Sequence, residues 1–202
     1  NAETGAIMSI TASGLTFKNF RNYQYLGGIV GENLAADPEK GVKECHFLNG
    51  TIDEGSSAVG NCYGGIAGCN IGSLSGCTVK GLDLKATGVY TATNTSTWKE
   101  KEKSATHIGG IVGKNEESAV ISGCFIDKSD RSSAIRVANG MVGGIAGYNK
   151  GSITLSGDSG TAELMTGIGD FTEDDFNENV NKSIDNTKGL SAAENYVTWG
   201  WN

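Results

Sequence analysis

One seven-residue word recurs four times with almost no change, and no other feature limits the fold so strongly. It reads Gly-Gly-Ile-Val-Gly-Glu-Asn from Gly27 to Asn33 and Gly-Gly-Ile-Ala-Gly-Cys-Asn from Gly64 to Asn70. It returns as Gly-Gly-Ile-Val-Gly-Lys-Asn from Gly109 to Asn115 and as Gly-Gly-Ile-Ala-Gly-Tyr-Asn from Gly143 to Asn149. The starts are 37, 45 and 34 residues apart (64−27, 109−64, 143−109). A looser second word follows each copy: Lys43-Glu44-Cys45, Ser75-Gly76-Cys77, Ser122-Gly123-Cys124 and finally Ser156-Gly157-Asp158. A fixed period of this length is the mark of a repeat architecture, in which each unit buries its apolar side against the next.

Ile and Val favour extended backbone, and Leu26, Tyr63, Ile108 and Val142 precede the four copies, so each word belongs to a short strand. Glycines on both sides weaken an isolated strand. They are useful where another backbone comes close or where the chain turns with positive φ. A β-solenoid supplies both conditions, stacking each coil on the last at about 4.8 Å so that equivalent residues form columns. The fourth position alternates Val30, Ala67, Val112, Ala146, as complementary sizes in neighbouring layers would. The scaffold positions are then Gly28, Ile29, Gly31 and Asn33; Gly65, Ile66, Gly68 and Asn70; Gly110, Ile111, Gly113 and Asn115; and Gly144, Ile145, Gly147 and Asn149. The four asparagines are expected at one corner, each side-chain amide bonding to the amide of the next layer.

A unit of 34 to 45 residues is long for one coil, so the spacing predicts two coils per repeat, about eight over residues 1–160, and a rod roughly 40 Å long. The extra length between the second and third copies, Ala86 to Thr106, reads as an inserted loop or hairpin.

The Gly-[large apolar]-[small apolar]-Gly core with its flanking Gly and following Asn resembles the GLUG-motif repeat. That family occurs in bacterial surface proteins and beside the protease domain of immunoglobulin-A-cleaving metallopeptidases. The resemblance covers about Leu26 to Gly157. It implies an exported or cell-surface protein of adhesin type. No His-Glu-x-x-His is present, so the zinc chemistry of the metallopeptidase relatives does not carry over. The chain opens on Asn1 rather than methionine, which is read as a segment of a longer polypeptide with further domains.

Residues 161–202 are expected to cover one end of the rod as part of the same domain. Thr172 as N-cap, acids in the first turn, and Phe176, Val180 and Ile184 on one stripe predict a capping helix over about 172–187. Tyr196 to Trp201 alternates like a final strand.

Composition narrows the partners. Of the net charge of −7, residues 161–202 carry −6, from 8 acids and 2 bases, and residues 1–160 carry −1. Neither part has the basic footprint that nucleic acid requires. No window approaches the roughly 18 consecutive apolar residues of a spanning helix, so a soluble segment without membrane insertion is expected.

Candidate chemistry is sparse. Five cysteines are an odd number: Cys45, Cys77 and Cys124 occupy equivalent positions and read as small buried residues in a column, whereas either Cys62 or Cys69 admits a disulfide with Cys77. His46 and His107 are the only histidines and read as ordinary packing or surface polarity; no Cys-x-x-Cys is present, so neither a zinc site nor a nucleophilic triad is expected. Asp53 with Glu54, Asp127 with Asp130, and Glu116 with Glu117 read as solvated loop charges, and Asp170, Glu173, Asp174 and Asp175 as the start of the capping helix rather than a calcium loop. Trp98 on the insertion and Trp199 and Trp201 on one strand face are the candidates for stacking on sugar rings.

The sequence therefore predicts an all-β, right-handed parallel β-helix with a short C-terminal capping helix, needing no cofactor. The expected role is a non-catalytic binding or spacer module that engages a host or matrix glycan or protein. A carbohydrate-active β-helix enzyme, of lyase or hydrolase type with an acidic groove, is the alternative.

Overall fold

The computed structural model describes residues 1–18, 20–22, 24–37, 39–55, 60–86, 106–127, 134–137 and 141–154, with 134–137, 141 and 142 described by backbone alone. Residues 172–187, the final strand, Asp130, Asp170 and the three tryptophans lie outside this set.

The described chain is all-β and winds as a parallel β-solenoid. The first coil contains β1 (Ala6–Met8), β2 (Thr11–Ser13), β3 (Thr16–Lys18), β4 (Tyr25–Gly27) and β5 (Val30–Asn33). The second repeats the set as β6 (Gly41–Lys43), β7 (His46–Leu48), β8 (Thr51–Asp53), β9 (Cys62–Gly64) and β10 (Ala67–Asn70). The third is β11 (Ser73–Ser75), β12 (Thr78–Lys80), β13 (Asp83–Ala86), β14 (His107–Gly109) and β15 (Val112–Asn115). The fourth is β16 (Val120–Ser122), β17 (Phe125–Asp127), β18 (Ala134–Val137), β19 (Met141–Gly143) and β20 (Ala146–Asn149), and β21 (Ser152–Thr154) starts the next turn.

Every fifth strand pairs in parallel, giving five faces: β1-β6-β11-β16-β21, β2-β7-β12-β17, β3-β8-β13-β18, β4-β9-β14-β19 and β5-β10-β15-β20. One repeat is therefore one coil, not two. The four-stranded faces span three interlayer steps, about 14 Å, in place of the expected 40 Å. The expectation failed because a coil of five faces, each with its own strand and corner, uses all of the 34 to 45 residues in one circuit.

Short strands suffice because alternate residues face inward, as the two-residue period of a strand dictates: the middle residue of β7, β8 and β12, and both Leu84 and Ala86 of the four-residue β13. The inner columns are Val42, Leu74 and Ile121 on the first face, Phe47, Val79 and Ile126 on the second, and Ile52 and Leu84 on the third. Ile7, Ala12 and Phe17 of the first coil pack against these columns but are only partly buried. Ile66, Ile111 and Ile145 of the word join the same core, and Val30, Ala67, Val112 and Ala146 stack in register as expected. The insertion falls between Ala86, which ends β13, and His107, which opens β14, so it leaves both strands intact.

The second word forms the corner between the first two faces. Ser9, Glu44, Gly76 and Gly123 stack there with φ of 55, 51, 61 and 60°, so this column needs the left-handed conformation that glycine adopts without strain. The cysteine that follows closes the turn. Cys45 Sγ donates to Lys43 O at 3.2 Å, Cys77 Sγ to Ser75 O at 3.4 Å and Cys124 Sγ to Ser122 O at 3.6 Å.

Candidate functional site

The seven-residue word builds the corner between the fourth and fifth faces. Its third glycine brings two backbones into contact. A methyl group on Gly113 would lie 2.6 Å from Tyr63 N and 2.7 Å from Gly68 O, and one on Gly147 would meet the backbone of Ile108. Gly68 likewise abuts the backbone of Tyr25 and Leu26. Gly28, Gly65 and Gly110 instead face the core, where a methyl group would strike Phe47, Val79 and Ile126 respectively. Both glycines are thus set by space rather than by φ.

The word ends in a continuous amide ladder. Asn1 Nδ2 donates to Asn33 Oδ1 at 3.0 Å, Asn33 Nδ2 to Asn70 Oδ1 at 2.9 Å, Asn70 Nδ2 to Asn115 Oδ1 at 2.8 Å and Asn115 Nδ2 to Asn149 Oδ1 at 2.7 Å. Second amide bonds run to the chain entering the next first face: Asn33 to Ser73 O at 2.9 Å, Asn70 to Gly72 O at 3.2 Å and Asn149 to Gly151 O at 3.2 Å. Asn33, Asn70 and Asn115 are fully buried. This polar column is spent on itself and on the backbone, so it holds the corner and leaves no group facing a ligand.

A second buried cluster lies beside the word. Cys62 Sγ is 3.6 Å from His107 Nδ1, and the His107 ring meets Tyr148 edge-on with centroids 5.3 Å apart. Lys114 Nζ and Lys150 Nζ stand 5.2 and 5.5 Å from the Tyr148 centroid. Burial, helped by Lys114, lowers the His107 pKa to about 3, and burial raises the Cys62 thiol far above its ordinary range. Burial also pushes Cys69 up to about 12. A neutral imidazole beside a protonated thiol is the reverse of an activated nucleophile pair. All five cysteines are free, so the sulfur pairings open to Cys62 or Cys69 with Cys77 are not made.

Glu54 corrects the expectation of a solvated acid. It is fully buried, and its Oε1 accepts from Tyr63 OH at 3.0 Å. Tyr63 OH in turn accepts from Asn61 Nδ2, which also donates to Arg21 O at 2.7 Å, while Asn61 Oδ1 accepts from Gln24 N at 2.7 Å. This network fastens the first two coils together where the third face passes into the fourth. Its sequence signal is faint, because the partners are spread from Arg21 to Tyr63.

The remaining acids among the described residues do not converge. Asp127 pairs with Lys80 at 3.2 Å, Glu116 with Lys114 at 2.7 Å, and Asp53 Oδ1 accepts from Gly55 N at 3.1 Å. Among the described residues, no three His, Cys, Asp or Glu side chains gather as a metal site would require. His46 stands in the outward column Thr11, His46, Thr78, Phe125 on the second face, beside Ser13, Leu48, Lys80 and Asp127. Trp98, Trp199 and Trp201, the proposed stacking residues, lie outside the described residues.

No protein-family model matches the chain, and no curated protein or solved structure matches it significantly.

Proposed function

We propose that this chain is a non-catalytic binding or spacer module of an exported or cell-surface bacterial protein, adhesin-like and related to the GLUG-motif repeats. One observation carries the reading. Among the described residues, the polar groups that converge, namely the Asn ladder, Glu54 with Tyr63 and Asn61, and His107 with Cys62, are all inside the coil wall, whereas outward groups are spread in columns along flat faces. An enzyme of the lyase or hydrolase type requires the opposite distribution, with carboxylates about 5 to 10 Å apart facing a groove. The winding is right-handed, as parallel crossovers almost always are, and a helix at 172–187 covers the C-terminal end of the rod.

The partner is a host or matrix glycan or protein, and no cofactor is needed. Trp98, Trp199 and Trp201 are the residues proposed to stack on sugar rings. A glycan and matrix-protein array probed with the chain and with Trp98→Ala and Trp199→Ala variants tests this. Retention on one ligand class, weakened by either variant, supports the reading. Release of new reducing ends from a bound polysaccharide would replace it with the enzyme.

A further inference from the structure

The corner column of cysteines carries chemistry that the binding reading leaves unused. Cys45, Cys77 and Cys124 occupy the same position in three successive coils. Thr78 N donates to Cys45 O at 2.9 Å and Phe125 N to Cys77 O at 3.0 Å, which places each cysteine directly on the one before it. Adjacent layers are about 4.8 Å apart, inside the 4.4–6.8 Å range of Cα separations that a disulfide spans. The tighter of the two pairs is Cys77 with Cys124, since Cys77 N lies 3.4 Å from Cys124 Sγ.

We propose that Cys77 and Cys124 form a redox-operated staple, closing a disulfide between the second-word corners of two adjacent coils when the protein meets a small-molecule disulfide. The step balances as two exchanges. The Cys77 thiolate attacks one sulfur of oxidised glutathione, forming a mixed disulfide and expelling one glutathione thiolate. The Cys124 thiolate then attacks Cys77 Sγ, forming the protein disulfide and expelling the second. The two cysteine protons pass to the two leaving thiolates, so two thiols are oxidised and one external disulfide is reduced.

The order of attack follows from the pair itself. A hydrogen bond from Cys124 lowers the Cys77 pKa, and that same bond together with burial raises Cys124 well above its ordinary range, so Cys77 is the first nucleophile and Cys124 the resolving thiol. Cys45 also hydrogen-bonds the Cys77 thiol, but more weakly than Cys124 does, and its own Sγ is held by Lys43 O at 3.2 Å and Ile7 O at 3.6 Å. Because Cys77 and Cys124 are buried, exchange proceeds through transient opening of the coil. The closed bond ties together residues 47 apart in sequence (124−77), restricting that opening afterwards.

The test uses the whole 202-residue chain. It is equilibrated with excess oxidised glutathione at a urea concentration just below the unfolding midpoint, alkylated, digested and mapped without reduction. The expected result is a fall from five thiols to three, a peptide pair joined through Cys77 and Cys124, and a Tm that rises on oxidation and returns on reduction. The Cys45→Ser variant keeps the link and Cys124→Ser loses it; if the latter does not fold, the wild-type map with Cys45→Ser decides the matter. Five thiols after equilibration, a glutathione adduct at Cys77 that never resolves, or a wild-type link joining Cys45 to Cys77 would each overturn the proposal.

Discussion

Asn70 Nδ2 donates to Asn115 Oδ1 across 2.8 Å, although 45 residues separate the two in sequence. That bond states the principle of the fold: whatever lies between two copies of the word, including the long insertion after Ala86, the copies meet in the next layer. The ladder is buried, so each rung replaces water that the amides have lost, and a broken rung leaves polar atoms stranded.

Replacing Asn115 by alanine therefore removes the acceptor for Asn70 and the donor to Asn149 together. A loss of about 3 kcal/mol or more in urea unfolding is expected from two stranded groups. Asn149→Ala, at the last described rung, leaves Asn115 Nδ2 and Gly151 O without their partner, but Gly151 is only half-buried and open to water, so the cost is smaller. Equal losses for the two variants would mean that the rungs do not act through their neighbours.

Glycines with different neighbours separate two kinds of constraint. Gly113→Val puts side-chain atoms against Tyr63 N and Gly68 O, backbone that cannot rotate aside, and several kcal/mol are expected from overpacking. Gly14→Ala meets nothing within 4 Å, so only its φ of 67° resists, at about 1–2 kcal/mol. Thermal melts of both variants check the ranking; a Gly113→Val protein as stable as the parent would remove the close-approach explanation.

His107 makes stability depend on acid. Its folded pKa near 3 is below the unfolded value of about 6.5, so between these limits the unfolded chain binds the extra proton. Stability is complete above pH 6.5 and falls as the pH is lowered toward 3, by up to about 1.4 kcal/mol per pH unit from this residue alone. Urea midpoints measured from pH 7 to pH 4 in parent and His107→Leu chains isolate the term by difference. Parallel curves would show that His107 is solvated when folded.

Tyr63→Phe removes one donor from buried Glu54 and the phenolic acceptor of Asn61 without changing the shape of the core. A cost of about 1–3 kcal/mol is expected. Chemical denaturation at pH 7 measures it, and a variant within 0.5 kcal/mol of the parent, roughly the scatter of surface substitutions, would mean that the network contributes nothing.

The parts legible in the sequence were those where one residue type answers to one local demand. The asparagine corner could be read because a side-chain amide both donates to and accepts from its own copy and tolerates the corner backbone, and the Val30, Ala67, Val112, Ala146 column because its register is set by the word itself. The circuit length was not legible. The first three faces use strands of three or four residues whose outer positions vary freely, and the corner between the first two tolerates Ser9, Glu44 or Gly76 in one left-handed place, so only a loose second word marks them. Glu54 was misread because nothing near it in sequence shows that Tyr63 and Asn61 close over it. The tryptophans, chosen for their type and their place on the insertion and the final strand, lie outside the described residues.

One repeat per coil is the central claim, and a spin-label distance between Thr11 and Phe125 tests it most directly. The two residues share the outward column through His46 and Thr78 and are three layers apart, which sets their backbone separation at about 14 Å. Two coils per repeat would double the layers and place the labels about 29 Å apart. A distance distribution centred near the shorter value is the predicted result, and one centred near the longer value would contradict the fold described.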